Sequence, residues 1–364
     1  MKRTPSPRRS LLWAAIAGTL YSGTAVAAPL FRITVIPSLP LGELCSPNAI
    51  NDLGHVVGTC AQHTFFWTPE GGAIEIKVPT GYLGARALNN HDVMAAEHTK
   101  PDVTRDGVLW DPVNGLRVFT PDGDFPEIGE VNGINDAGKV VGAGWVPRPP
   151  HTPRHAFTWT EETGVVDPLP DVAGETQLRD INALGQMVGW GWGNNLEGGS
   201  RAVILEADGR VTRLEAPFCS TNGAQAYGLN DLGQVAGSCY NTPNSLHAVV
   251  WAGPRHGRDI DGRAEGKGIS QAFEVNNAGQ VVGFWSGGGH SGHAWETSFY
   301  WDPETKMTSI HRLLDPTDPL AAVTKLGTVA TINQAGQIAT AGTVNGEWQL
   351  LLLTPVVNSS TASP

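Results

Sequence analysis

Charge is scarce in this chain of 364 residues, with Asp, Glu, Lys and Arg together making up only 16%. Coiled coils and long solvated helices need charged faces, so both are excluded. The charges present are unbalanced, 24 Lys and Arg against 35 Asp and Glu, for a formal net charge of −11. Four of the bases, Lys2, Arg3, Arg8 and Arg9, lie in the first 28 positions with no acid beside them, which leaves −15 for the rest. A nucleic-acid partner is excluded on that balance. No segment approaches the roughly 18 consecutive apolar residues of a membrane span. The chain also lacks G-x-S-x-G, H-E-x-x-H and phosphate-loop motifs. Its four cysteines form no C-x-x-C pair and no Cys/His cluster, so no metal or cofactor is expected.

Glycine and proline, by contrast, are abundant, at 45 and 26 residues, and they punctuate Val/Ile runs in a chain that is 40% apolar with 12 Trp. That is the composition of a turn-rich all-β protein with a sizeable core, and it excludes disorder and collagen. The first 27 residues read as a signal peptide: a basic segment from Lys2 to Arg9, an apolar run from Leu11 to Ile16 and the small-residue ending Ala25-Val26-Ala27. Arg8-Arg9-Ser10-Leu11-Leu12 loosely fits a twin-arginine signal, and the two export routes stay open. The expected destination is the periplasm or the extracellular space, an oxidising compartment in which Cys45, Cys60, Cys219 and Cys239 should pair.

One segment repeats. Ile50-Asn51-Asp52-Leu53-Gly54-His55-Val56-Val57-Gly58 returns as Ile134 to Gly142, Ile181 to Gly189, Leu229 to Gly237 and Val275 to Gly283, with worn copies at Leu88 to Ala96 and Ile332 to Thr340. The repeated Asn stands at 51, 89, 135, 182, 230, 276 and 333, a spacing that fits one four-stranded propeller blade. Each copy reads as a hairpin whose turn glycine takes positive φ, with Asp92 in that place in the second copy. A third strand follows at His63 to Trp67, His155 to Trp159 and His247 to Trp251, then a Pro/Glu/Asp/Gly turn and a short fourth strand. The last copy ends after its third strand, Trp348 to Leu353, while Phe31 to Ile36 is a spare strand at the other end. The expectation is a seven-bladed β-propeller of four-stranded blades over residues 28–357, closed by the N-terminal strand completing the last blade, with a disordered tail at 358–364.

Centring the first hairpin on Asn51 to Gly54 places Cys45 opposite Cys60, which predicts that disulfide. In the fifth copy the position opposite Cys239 is Ala224, so Cys219 must reach back across about five residues to make the second.

The hairpin and the tripeptide His155-Ala156-Phe157 together resemble the probable extracellular repeats named for His-Ala-Phe, over nearly the whole chain after the signal. The resemblance implies a secreted bacterial repeat protein and brings no general catalytic residues.

A residue present in every blade answers to what every blade needs. The seven Asn therefore read as turn residues, Trp67, Trp110, Trp159, Trp251 and Trp301 as core plates, and His63, His155 and His247 as structural hydrogen-bonding groups. Function should break the symmetry. The segments joining strands two and three grow from four residues (59–62) to nine or more on blades two to six, and they carry Trp145, Trp190, Trp192, Asn194, Tyr240, Trp285, His290 and His293. Aromatic plates beside amides and imidazoles suit sugars. A second asymmetric set lies on strand one: Gln177, Gln225 and Gln271 five residues before the repeated Asn, and Arg86, Arg179, Tyr227 and Phe273 three before it, all near the channel mouth. His151/His155 and His290/His293 have metal-ligand spacing but fall on blades too far apart to share an ion.

Two functional classes follow. The first is a binding or structural propeller, a monomer, that recognises a glycan or cell-surface ligand through its loop-rich face. The second is a carbohydrate-active enzyme at the channel mouth, either a polysaccharide lyase in which an Arg/Tyr/His grouping binds a uronate carboxylate and abstracts a proton, or a glycoside hydrolase with Glu130, Asp180 and Glu274 as the candidate carboxylates.

Overall fold

The computed structural model describes residues 28–37, 44–119, 125–147, 153–191, 200–220, 223–242, 245–262, 268–288 and 294–356. The expected signal peptide, 1–27, and the expected tail, 358–364, lie outside them. The chain is all-β, with seven four-stranded antiparallel sheets arranged as the blades of a propeller. Blades one to six span residues 45–76, 82–119, 127–166, 176–213, 224–259 and 268–309, each with its strands in chain order. Blade seven takes Thr324–Ile332, Ile338–Val344 and Glu347–Pro355 from the C-terminal end. Its outermost strand is Phe31–Ile36, paired antiparallel with register from Phe31 opposite Pro355 to Ile36 opposite Leu350.

Seven apolar clusters occur among the described residues, and each is drawn from two adjacent blades. The strand period of two explains this, since neighbouring side chains point to opposite faces of a blade. Phe157 packs toward blade two while Ala156 packs toward blade four, and Val249 and Ala248 divide in the same way in blade five. The backbone N–H of Ala156 and of Ala248 donates to Thr176 and Ser270 hydroxyls on the next blade, at 2.9 and 2.8 Å.

The hairpin repeat works through its asparagine. Asn51 Oδ1 accepts from Leu53 N and His55 N inside its own turn, at 3.2 and 3.0 Å, while Nδ2 donates to the carbonyl of Asn89 on the next blade, at 3.0 Å. The same inter-blade bond recurs from Asn89, Asn135, Asn182, Asn230 and Asn276, and Asn333 returns it to Asn51. The turn glycine takes φ near +78° at Gly54, and Asp92 holds φ +59° in the worn second copy. Asp92 is compensated there, accepting from Asn51 Nδ2 at 2.8 Å and lying 2.7 Å from His55 Nδ1. The glycine ending Val-Val-Gly has a different cause: a Cβ on Gly142 would stand 2.1 Å from the Glu130 carbonyl.

Both disulfides form as expected, Cys45 with Cys60 and Cys219 with Cys239. Cys45 and Cys60 face each other in register, and Ala224 stands opposite Cys239.

Candidate functional site at the channel mouth

In blades one to six the first strand slips register at the residue three before the repeated Asn, which is Asn48, Arg86, Asn132, Arg179, Tyr227 or Phe273. A bulge turns its extra residue out of the pleat. All six consequently line an axial cavity of about 400 Å³. Below them the apolar residues preceding the repeated Asn, among them Ile50, Leu88, Ile134 and Ile332, narrow the channel toward the asparagine ring. Fold symmetry fixes the position, and the residue type there varies freely.

The mouth is an ion-pair and hydrogen-bond network. Arg86 Nε donates to Glu97 Oε1 at 3.1 Å, and burial pushes the Glu97 carboxyl above its ordinary pKa against the pull of Arg86. Glu130 sits between Arg154, at 2.9 Å, and Arg179, at 3.4 Å, and accepts from Gln177 Nε2. Burial works against its charge, but Arg154 and Arg179 together hold its pKa below the usual carboxylate value. The Arg179 guanidinium lies 5.7 Å over the Tyr227 ring, which meets Phe273 edge to face at 5.8 Å. The Tyr227 hydroxyl donates to Gln225 Oε1 at 2.6 Å and accepts from Gln271 Nε2 at 2.9 Å. Burial raises its pKa, which keeps the phenol neutral. A side recess of about 320 Å³ shares Asn48 and Arg86 with the channel and adds Glu97, Arg105 and Glu130. The residues picked out on strand one, Arg86, Gln177, Arg179, Gln225, Tyr227, Gln271 and Phe273, thus meet in one place.

Asp180 and Glu274 occupy the channel wall one residue further along the strand. Asp180 Oδ2 accepts from Leu229 N at 2.7 Å, and Glu274 Oε2 accepts from Ile332 N at 2.7 Å and from the Thr331 hydroxyl. Each ties its blade to the next. Burial, with a smaller contribution from nearby acidic charge, raises their pKa values to about 6 and about 7.

The aromatic set of the enlarged segments is distributed differently from expectation. Trp145, Trp190, Tyr240 and Trp285 lie within second strands, Val140–Trp145, Met187–Gly191, Val235–Thr242 and Val281–Gly288, rather than in loops. Aromatic residues suit a pleated, half-buried surface, so the strands run on past the glycine that seemed to end them. Trp145 is half-buried with the Arg154 guanidinium 5.6 Å from its ring, Tyr240 is exposed, and Trp285 packs on the apolar cluster between blades five and six. Trp192, Asn194, His290, His293 and His151 lie outside the described residues. Among the described residues no group of three or more His, Cys, Asp or Glu is set to hold a metal ion.

The structural hydrogen bond expected of the repeated histidines is present, and its partner is what the sequence reading missed. His63, His155 and His247 each place Nδ1 on a carboxylate twelve residues later, Glu75 and Asp259 in fourth strands and Asp167 just after one, at 2.7, 2.7 and 2.9 Å. The constant spacing is its signal. In blade five Ser245 Oγ lies 2.8 Å from His247 Nε2, giving the hydroxyl, imidazole and carboxylate order of a nucleophilic triad. Ser245 is fully buried at 0% exposure, and the trio ties the third strand of blade five to its fourth.

Neither a protein-family model nor a curated protein matches the chain. Solved structures do. A catalytically inactive virginiamycin B lyase from Staphylococcus aureus with quinupristin aligns at TM-score 0.51 and 11% identity, over 90% of this chain and 100% of that one. A streptogramin B lyase aligns at TM-score 0.50 and 11% identity, over 90% and 98%. At such identities the likeness shows the β-propeller fold alone.

Proposed function

We propose that the chain is an exported β-propeller binding protein that recognises a glycan or cell-surface ligand through the face on which the channel mouth opens. One observation carries this reading: six equivalent bulge positions, alike in backbone, present Asn, Arg, Asn, Arg, Tyr and Phe to a single cavity. The fold requires the bulge and leaves the side chains free, so their mixture of charge, amide and aromatic ring belongs to a ligand. The two disulfides and the resemblance to extracellular His-Ala-Phe repeats support export. Binding is favoured over turnover because the candidate carboxylates are engaged: Glu130 by two arginines and a glutamine, Asp180 and Glu274 by the neighbouring blade.

The test is a glycan array on the mature protein, run beside an assay for new reducing ends and unsaturated products. Binding without product supports the proposal. Product formation replaces it with the carbohydrate-active enzyme, and an array with no binder removes the glycan reading.

A further inference from the structure

We infer that the channel mouth takes an acidic oligosaccharide, with Arg86 and Arg179 as partners of its anionic group and Tyr227 and Phe273 as the surface for its sugar ring. The inference rests on the binding role proposed above and narrows its ligand class.

The first argument is local charge. In a chain of net charge −11, the mouth and its side recess gather Arg86, Arg105, Arg154 and Arg179 with Glu97 and Glu130 as their carboxylate partners, while the other two carboxylates of the channel wall, Asp180 and Glu274, are taken up by backbone N–H groups of the next blade. Three of these arginines act on the same Glu130, and Arg86 and Arg154 both oppose the charge of Arg179. Grouping like charges away from water is costly. The fold does not demand it, because the equivalent positions in other blades are Asn48, Asn132, Tyr227 and Phe273. An anion seated among the guanidiniums offsets that cost.

The second argument is geometry. The cationic groups come from blades two to four and Tyr227 and Phe273 from blades five and six, around one cavity in which Arg179 lies beside Tyr227 and Arg86 stands three blades away from it. Arg86 is 48% exposed with Nε on Glu97, and Arg179 is 35% exposed, so both remain reachable from the channel. A ligand that presents an anionic group on one side and an apolar ring face on the other satisfies both halves. A uronic-acid residue has that form, and so does a sulfated sugar. Guanidinium recognises carboxylate and sulfate alike.

Titration calorimetry on the mature protein distinguishes the outcomes. The probes are oligogalacturonate, oligoguluronate, unsulfated chondroitin and chondroitin sulfate, with cello-, xylo- and chito-oligosaccharides as neutral counterparts. At least one acidic probe should bind, its affinity falling about tenfold between low and moderate salt. Arg86→Gln should weaken it by about tenfold to a hundredfold, the loss of one charge-assisted contact. Arg210→Gln, which makes the same charge change in the turn after Arg201–Leu205, should leave it unaltered. Arg179→Lys provides a second variant that keeps the charge and loses the forked geometry, with a thermal melt to verify folding. Preference for sulfated over unsulfated chondroitin identifies sulfate as the anion, and binding of a uronate oligomer identifies carboxylate. Binding of neutral probes alone, or affinity unmoved by Arg86→Gln, overturns the acidic ligand while leaving a glycan-binding propeller in place. No binding by any probe overturns both.

Discussion

Asn333 Nδ2 donates to the backbone carbonyl of Asn51 at 2.9 Å across 282 residues, closing a circuit of seven amide-to-carbonyl bonds around the axis. A second circuit runs beside it, from Asp52 N to Asn90 Oδ1, Asn90 N to Asp136 Oδ1, Ala183 N to Asp231 Oδ1 and on through Asn277 and Gln334 back to Asp52. The residue after the repeated Asn is Ala183 in blade four, which has no side-chain acceptor to offer Asp136, and the second circuit breaks there. The first does not break, because every blade keeps its Asn.

Asn230→Asp isolates the inter-blade half of this device. Oδ1 of Asn230 still has equivalents to accept from Leu232 N and Gln234 N, but a carboxylate cannot donate to the Asn276 carbonyl now 2.8 Å away or to Gln234 Oε1. The expected loss is about 2 to 4 kcal/mol, from one buried bond removed and a charge set against two acceptor oxygens. Urea unfolding measures it. A loss no larger than that of an exposed turn substitution means that the circuit is incidental to stability.

That asparagine also shows how far the sequence could be read. The Oδ1 half closes a turn within four residues and follows from local pattern. The Nδ2 half meets its acceptor 38 to 57 residues on, or 282 residues back for Asn333, and nothing short of the folded ring brings them together. The channel mouth divides in the same way. Arg86, Arg179 and Tyr227 were legible as one register position, whereas the meeting of Glu130 with Arg154 and Arg179 depends on how two blades lie together. Trp145 and Tyr240 were misplaced into loops because a glycine was taken to end a strand that in fact continues.

Removing the N-terminal strand tests its part in ring integrity. Phe31 and Ile36 are 1% and 0% exposed, and Ile33 N donates to Asp318 at 2.8 Å. A chain beginning at Leu39 loses that burial, worth several kcal/mol at about 2 kcal/mol for each large side chain, and leaves the Glu347–Pro355 edge unpaired. Its thermal transition should become broad and fall well below that of the intact mature protein. An unchanged, cooperative melt would show that the pairing contributes nothing to closure.

The buried carboxylates set a pH dependence whose sign is fixed. Glu274 and Asp180 have folded pKa values of about 7 and about 6, above their ordinary values of 4.5 and 3.8. Their contribution to stability is full below the ordinary values and is lost as pH rises through the folded ones. The melting temperature should therefore decline from about pH 5 to about pH 8. Glu274→Gln keeps an acceptor for Ile332 N and cannot ionise, so its decline should be shallower. Parallel curves for the two proteins would rule out Glu274 as a source of the slope.

The tryptophans separate scaffold from mouth. Trp251 is 0% exposed, packs in the cluster between blades four and five and donates Nε1 to the Glu215 carbonyl at 3.1 Å. Trp251→Ala empties that site and should cost about 3 to 5 kcal/mol. Trp145 is half-buried at the end of its strand, with Arg154 over its ring, and Arg154 in turn holds Glu130. Trp145→Ala should cost no more than about 1 to 2 kcal/mol, chiefly the cation–π contact and partial burial. The released Arg154 should disturb Glu130 and Arg179, so ligand affinity should fall while the fold persists. Paired urea titrations and binding isotherms decide the matter. If Trp145→Ala destabilises as much as Trp251→Ala, that ring is part of the packing between blades and has no separate role at the mouth.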